Sequence, residues 1–192
     1  MSPDPRKDGT RRGRFAPDDA PLMSNVRVRS RGLAALRYVV LLALASPSQA
    51  QELQNWFGDP FFQVSAQLPD CPLPAGPFIN EAERRGQAHH RAERGTTCWL
   101  EKACERSNAY SYDQEIASAF QSALREHGPL ASTTLWVTVQ GRVVYIEGCA
   151  DKPSVASEVE ALARALPFVQ QAVAIIRTEP SASAPYRLRS SK

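Results

Sequence analysis

Residues 134–148 read TLWVTVQGRVVYIEG, and their alternation decides the fold. Leu135, Val137 and Val139 fall on one side, with Trp136 and Thr138 on the other. After Gln140-Gly141-Arg142 the pattern resumes, with Val144 and Ile146 set against Val143, Tyr145 and Glu147. Strict alternation over such runs is the mark of half-buried strands, and a glycine between them supplies the positive φ of a tight hairpin. A two-residue loop, either Gln140-Gly141 or Gly141-Arg142, puts Val137 and Val144 on the same face. A three-residue loop would oppose them.

Working outward, the pattern changes from period 2 to helical spacing. Ile116, Phe120 and Leu124, with Ala117 and Ala123, form one apolar face before the hairpin. Ser111 with Gln114 three places on predicts the cap of that helix, and His127-Gly128-Pro129 its end. After the hairpin, Asp151 is placed to cap a second helix with Pro153 in its first turn. Its stripe is Val155, Val159, Leu162 and Leu166, and Pro167 stops it. Residues 169–177 (VQQAVAIIR) predict a third strand. The expectation is an α+β, two-layer α-β-β-α-β domain at 111–178, a three-stranded sheet with two helices on one face. Residues 179–192 read as a loose tail.

Residues 51–110 predict an irregular, disulfide-held arm. Prolines stand at 60, 69, 72, 74 and 77, and residues 54–62 (QNWFGDPFF) form an aromatic cluster. Residues 80–94 (NEAERRGQAHHRAER) suit a short solvated helix broken at Gly86. Apolar residues return at Cys98-Trp99-Leu100.

Residues 1–50 read as a leader. Arg27, Arg29, Arg31 and Arg37 precede an apolar run, Tyr38 to Ala45, too short to span a bilayer of about 30 Å. Ser48-Gln49-Ala50 is a small-x-small cleavage site, which predicts a mature chain starting at Gln51 and a protein that is periplasmic or secreted. Met23 lies at a normal signal length from that site, so translation is expected to start there. Thr10-Arg11-Arg12 lies too far from the apolar run for a twin-arginine signal.

The leader also explains the formal charge of +3. Residues 1–50 hold nine of the 23 Lys/Arg and four of the 20 Asp/Glu, which leaves 14 basic and 16 acidic side chains. A remainder near −2 lacks the footprint of a nucleic-acid binder. The α-β-β-α-β order is also that of the KH domains that bind RNA, but the GXXG loop they need is missing.

The four cysteines, Cys71, Cys98, Cys104 and Cys149, all follow the cleavage site, and an even number in an exported chain predicts two disulfides. Three pairings are open, of which Cys98–Cys104 with Cys71–Cys149 is preferred because the first loop is short. The rival is a metal site using His89 and His90, but C-x5-C is not a usual zinc spacing and adjacent histidines diverge. No metal and no cofactor is expected.

Val137-Thr138-Val139, Val144-Tyr145-Ile146-Glu147-Gly148, the amphipathic helix at 153–166 and Leu166-Pro167-Phe168-Val169 together resemble the BON domain, a module of exported bacterial envelope proteins. The resemblance covers residues 112–178. It implies binding of phospholipid or attachment to the cell envelope, without catalysis. Three departures stand out: Gly141 falls one place early in the hairpin, Phe168 stands where a glycine is expected, and Cys149 follows Gly148.

The histidines are His89, His90 and His127, and no phosphate-binding glycine loop or G-x-S-x-G elbow is present. Asp113 with Glu115, and Glu158 with Glu160, suit helix capping or a solvated face, so no catalytic residue is assigned and no small-molecule substrate is expected. The remaining candidate is the sheet face away from the helices, with Trp136, Thr138, Val143 and Tyr145. Two readings stay open. The 51–110 arm covers this face, through Trp56 or Phe61, or the face itself binds an envelope lipid or an envelope protein. A second functional class, a protein-interaction module with the arm in its interface, also stays open.

Overall fold

The computed structural model describes residues 52–189. The leader, its cleavage site and the choice of start lie outside these residues. In chain order the elements are β1 (Phe61–Ala66), α1 (Glu81–Leu100), a 3-10 turn (Ala109–Tyr112), α2 (Asp113–His127), β2 (Thr133–Gln140), β3 (Val143–Ala150), α3 (Ser154–Arg164) and β4 (Gln171–Arg177). The fold is α+β as expected, but the sheet has four strands, in the order β1-β2-β3-β4.

The hairpin takes the Gly141-Arg142 loop. Gln140 pairs with Val143, Val139 with Val144 and Val137 with Ile146. Both loop residues have left-handed φ, 59° and 68°, as a two-residue primed turn requires. Trp136 is consequently opposite Glu147 and diagonal to Tyr145. β4 runs parallel to β3, Ile146 beside Ala174. Gly148 brings β3 close to β2: at its φ of 148°, a Cβ would collide with the Thr134 carbonyl oxygen.

The helices α2 and α3 bury their apolar stripes on one sheet face. Ile116, Phe120 and Leu124 meet Leu135, Val137, Val139, Val144 and Ile146, all with almost no exposure. From α3 come Val155, Val159 and Ala163, with Leu162 and Leu166 packed at the margin. Neither expected side-chain cap forms. A 3-10 turn capped by the Asn108 side chain precedes α2, so Ser111 sits inside that turn and its hydroxyl donates to the Asn108 carbonyl. Likewise α3 starts at Ser154 with Pro153 in the cap position, two places after Asp151.

The arm departs furthest from expectation. Its residues 61–66 form β1, antiparallel to β2, with Phe61 opposite Thr138 and a bulge between Gln63 and Ser65. Phe62 and Val64 reach the core side. The fourth strand pairs an edge of β2 that a three-stranded sheet would leave open. α1 is a continuous 20-residue helix rather than a short one broken at Gly86. A glycine on an open helix face costs only about 1 kcal/mol. The capping box of Asn80 and Glu83, with both bonds at 2.9 Å, offsets it.

Two disulfides are present, Cys71–Cys149 and Cys98–Cys104. The tail also differs from a loose end. Tyr186 is buried, Ala75 N–H donates to the Arg187 carbonyl (2.7 Å), and Arg189 N–H to that of Leu73 (3.1 Å). The Arg189 guanidinium lies 3.8 Å from the centre of the Phe78 ring.

Candidate functional site

The sheet face proposed from the sequence is largely covered. Trp136, Thr138 and Val143 are 8%, 7% and 1% exposed, and Tyr145 is half-buried. The Cys71–Cys149 bond fastens the arm across β3, and Tyr186 donates from the tail to the Pro72 carbonyl (2.8 Å). A cleft of about 170 Å³ remains on it, where Gly76 and Pro77 face Thr138, Tyr145 and Glu147. Burial pushes the Glu147 carboxyl above its ordinary value, and Arg187 pulls the other way. That space is below the roughly 300 Å³ of ordinary ligand pockets. Of the two aromatics expected to cover the face, Phe61 is on β1 beside Thr138. Trp56 lies under Arg84, its indole N–H donating to the Ile79 carbonyl.

The accessible chemistry is at the hairpin end of the sheet. The Asp113 carboxylate, at the start of α2, accepts the N–H groups of Gly141 (2.7 Å) and Arg142 (2.8 Å). Burial raises the Asp113 pKa above the ordinary carboxylate value, against the lowering effect of those two bonds. The turn is thereby held with Arg142 at positive φ. From there Arg142 Nε donates to the Phe168 carbonyl (2.7 Å), and Phe168 itself has φ 67°. Its ring lies 4.9 Å from that of Tyr112, centre to centre, with the Arg106 guanidinium 4.3 Å from the centre of Tyr112. Tyr112 Oη accepts the N–H groups of Glu105 and Arg106, fixing the segment after α1. Two bulky residues in the left-handed region, joined to each other, mark a strained place.

α1 closes the other side. Its Arg91 grips buried Asp59 with two bonds of 2.6 and 2.9 Å, and Gln140 Nε2 donates to the same carboxylate. The rings of Phe57 and Tyr110 flank the Arg91 guanidinium at 4.1 and 4.0 Å. Gly95 lies against Asn108, where a Cβ would meet Oδ1 at 2.9 Å. So docked, α1 forms one wall of a polar groove of about 520 Å³. Arg94, Thr97 and Glu101 line it from α1 and its end, and Arg142, Gln170 and Gln171 from the sheet side. Among the described residues Arg94 and Arg142 have no acidic partner, which is also true of Arg125, Arg177 and Arg189, and they are the two of these that line the groove.

The disulfide loop 98–104 borders this groove through Cys98, Glu101 and Ala103. Here α1 ends in a Schellman motif. Ala103 N–H bonds the Cys98 carbonyl (2.7 Å), Lys102 N–H bonds that of Trp99 (3.0 Å), and Lys102 has φ 57° where glycine is usual. Trp99 and Leu100 stand exposed at its tip.

Sequence reasoning did not single out Arg94, Arg142 or Trp99-Leu100 as candidate site residues. The available signals were the Arg in a two-residue turn and the Phe in a glycine place. Searches of curated proteins and of solved structures return no match to the chain. The family model for the BON domain matches residues 112–178, from the 3-10 turn through β4, and this segment of the chain is a BON domain.

Proposed function

We propose that the protein is a non-enzymatic, exported module that binds the phospholipid surface of the cell envelope through the hairpin end of its BON domain. The observation that carries this reading is the pair Arg94 and Arg142, cations without acidic partners on opposite walls of an open groove. The mature chain, near −2, has no bulk attraction to anionic lipid, so binding needs a local cluster. A guanidinium with free N–H groups suits a phosphate oxygen pair. Glu93 and Glu101 line the same groove and balance the two cations in formal charge, so recognition rests on the free guanidinium donors rather than on net charge. The two disulfides fit an oxidising compartment, and the leader fits export to the periplasm.

Flotation with vesicles containing phosphatidylglycerol tests the reading. The mature protein should float, and Arg94→Gln with Arg142→Gln should remove most of the binding and its salt dependence. Failure of the unaltered protein to float would overturn it. N-terminal sequencing should find Gln51 first. One observation favours a second reading, a protein-interaction module: the groove is built jointly by the arm and the BON domain, as a composite interface would be. A pull-down from envelope extract that recovers one stoichiometric protein, with no flotation, would select it.

A further inference from the structure

We infer that the Cys98–Cys104 loop is a membrane-inserting anchor, separate from the BON domain, that places Trp99 and Leu100 in the bilayer interface without help from net charge. The inference rests on the membrane reading above. Trp99 is 48% and Leu100 68% exposed, the two most exposed large apolar side chains among the described residues. They are neighbours on the last turn of a helix whose only buried residue is Gly95.

Two features fit this tip for lipid. Entering an apolar phase requires that backbone groups be satisfied internally. Here the N–H groups of Glu101, Lys102 and Ala103 are all bonded back to the carbonyls of Thr97, Trp99 and Cys98. Three of the four carbonyls that a helix end normally leaves to water, those of Thr97, Cys98 and Trp99, are thus occupied. The disulfide closes the loop across six positions, so ordering it on insertion costs little. Glu101 and Lys102 follow directly, which limits entry to the headgroup boundary, where an indole is favoured and a lysine can reach water. A protein partner would need about 800 Å² on this side, and two side chains followed directly by exposed Glu101 and Lys102 offer no apolar continuation along the chain.

The test uses the mature protein and vesicles of phosphatidylcholine, with and without phosphatidylglycerol. Changing Trp99→Ser with Leu100→Ser should lower partitioning about tenfold or more on both compositions, with the melting temperature unchanged. Lipids brominated near the headgroup should quench the bound protein's tryptophan emission, and Trp99→Phe should abolish that quenching while binding persists. Equal partitioning of the double variant, or emission untouched by the bromines, overturns the anchor. Binding lost only in the Arg94 and Arg142 variants leaves the membrane reading standing and removes the anchor. No binding of the unaltered protein to either vesicle removes both.

Discussion

Arg142 and Phe168, 26 residues apart, hold each other in place: both have left-handed φ, and Arg142 Nε donates to the Phe168 carbonyl at 2.7 Å. A left-handed residue other than glycine costs about 1–2 kcal/mol. Changing Arg142→Gly relieves that strain and removes one hydrogen bond of about 0.5–1.5 kcal/mol, so stability should stay within about 1 kcal/mol of the original. Vesicle binding should fall nevertheless. A urea titration beside flotation checks both parts, and a variant that binds as before would show the strain to be purely structural.

Asp113 gives a pH dependence of known sign. Burial raises its folded pKa above the ordinary value of 3.8, so between those two values the native state holds more protons than the unfolded chain. Its contribution to stability is therefore greatest below pH 3.8 and declines as pH rises through the folded pKa. Asp113→Asn should flatten that decline. It should also lower stability at neutral pH by about 1–3 kcal/mol, because one turn N–H loses its acceptor. Urea titrations across mildly acidic pH measure the slope, and an unchanged slope would exclude Asp113 as its source.

The covered sheet face makes Trp136 a packing residue. Trp136→Ala should cost about 3–5 kcal/mol, with a marked fall in melting temperature. Adding Tyr145→Ala should lower stability further without altering vesicle binding. A stable double variant that no longer binds would return the function to this face.

The two disulfides should contribute unequally. Cys71–Cys149 spans 78 positions and Cys98–Cys104 only six. In the chain-entropy account the first is worth about 4–5 kcal/mol and the second about 2. Cys71→Ala with Cys149→Ala should therefore destabilise more, and should also release the arm, seen as red-shifted Trp136 emission. Thiol counting on the unaltered, denatured protein should find no free thiol.

The local patterns of the sequence determined the two-layer core. Alternation fixed the faces of β2 and β3, because a period of two survives any environment that buries one side. The stripes of α2 and α3 were legible for the same reason at period 3.6. The likeness to the BON domain followed from those elements. The arm carried no such period. α1 is polar on nearly every side, so its continuation through Gly86 to Leu100 was not legible, and β1 (FFQVSA) reads as a strand only beside the edge of β2, some 70 residues on. Whether Trp136 faced water or protein depended on where the arm and Tyr186 came to rest. The open groove depended on Arg91 finding Asp59. Those contacts join residues distant in sequence, and their geometry is set by the folded sheet, so only the tertiary structure decided which face was closed and which end stayed open.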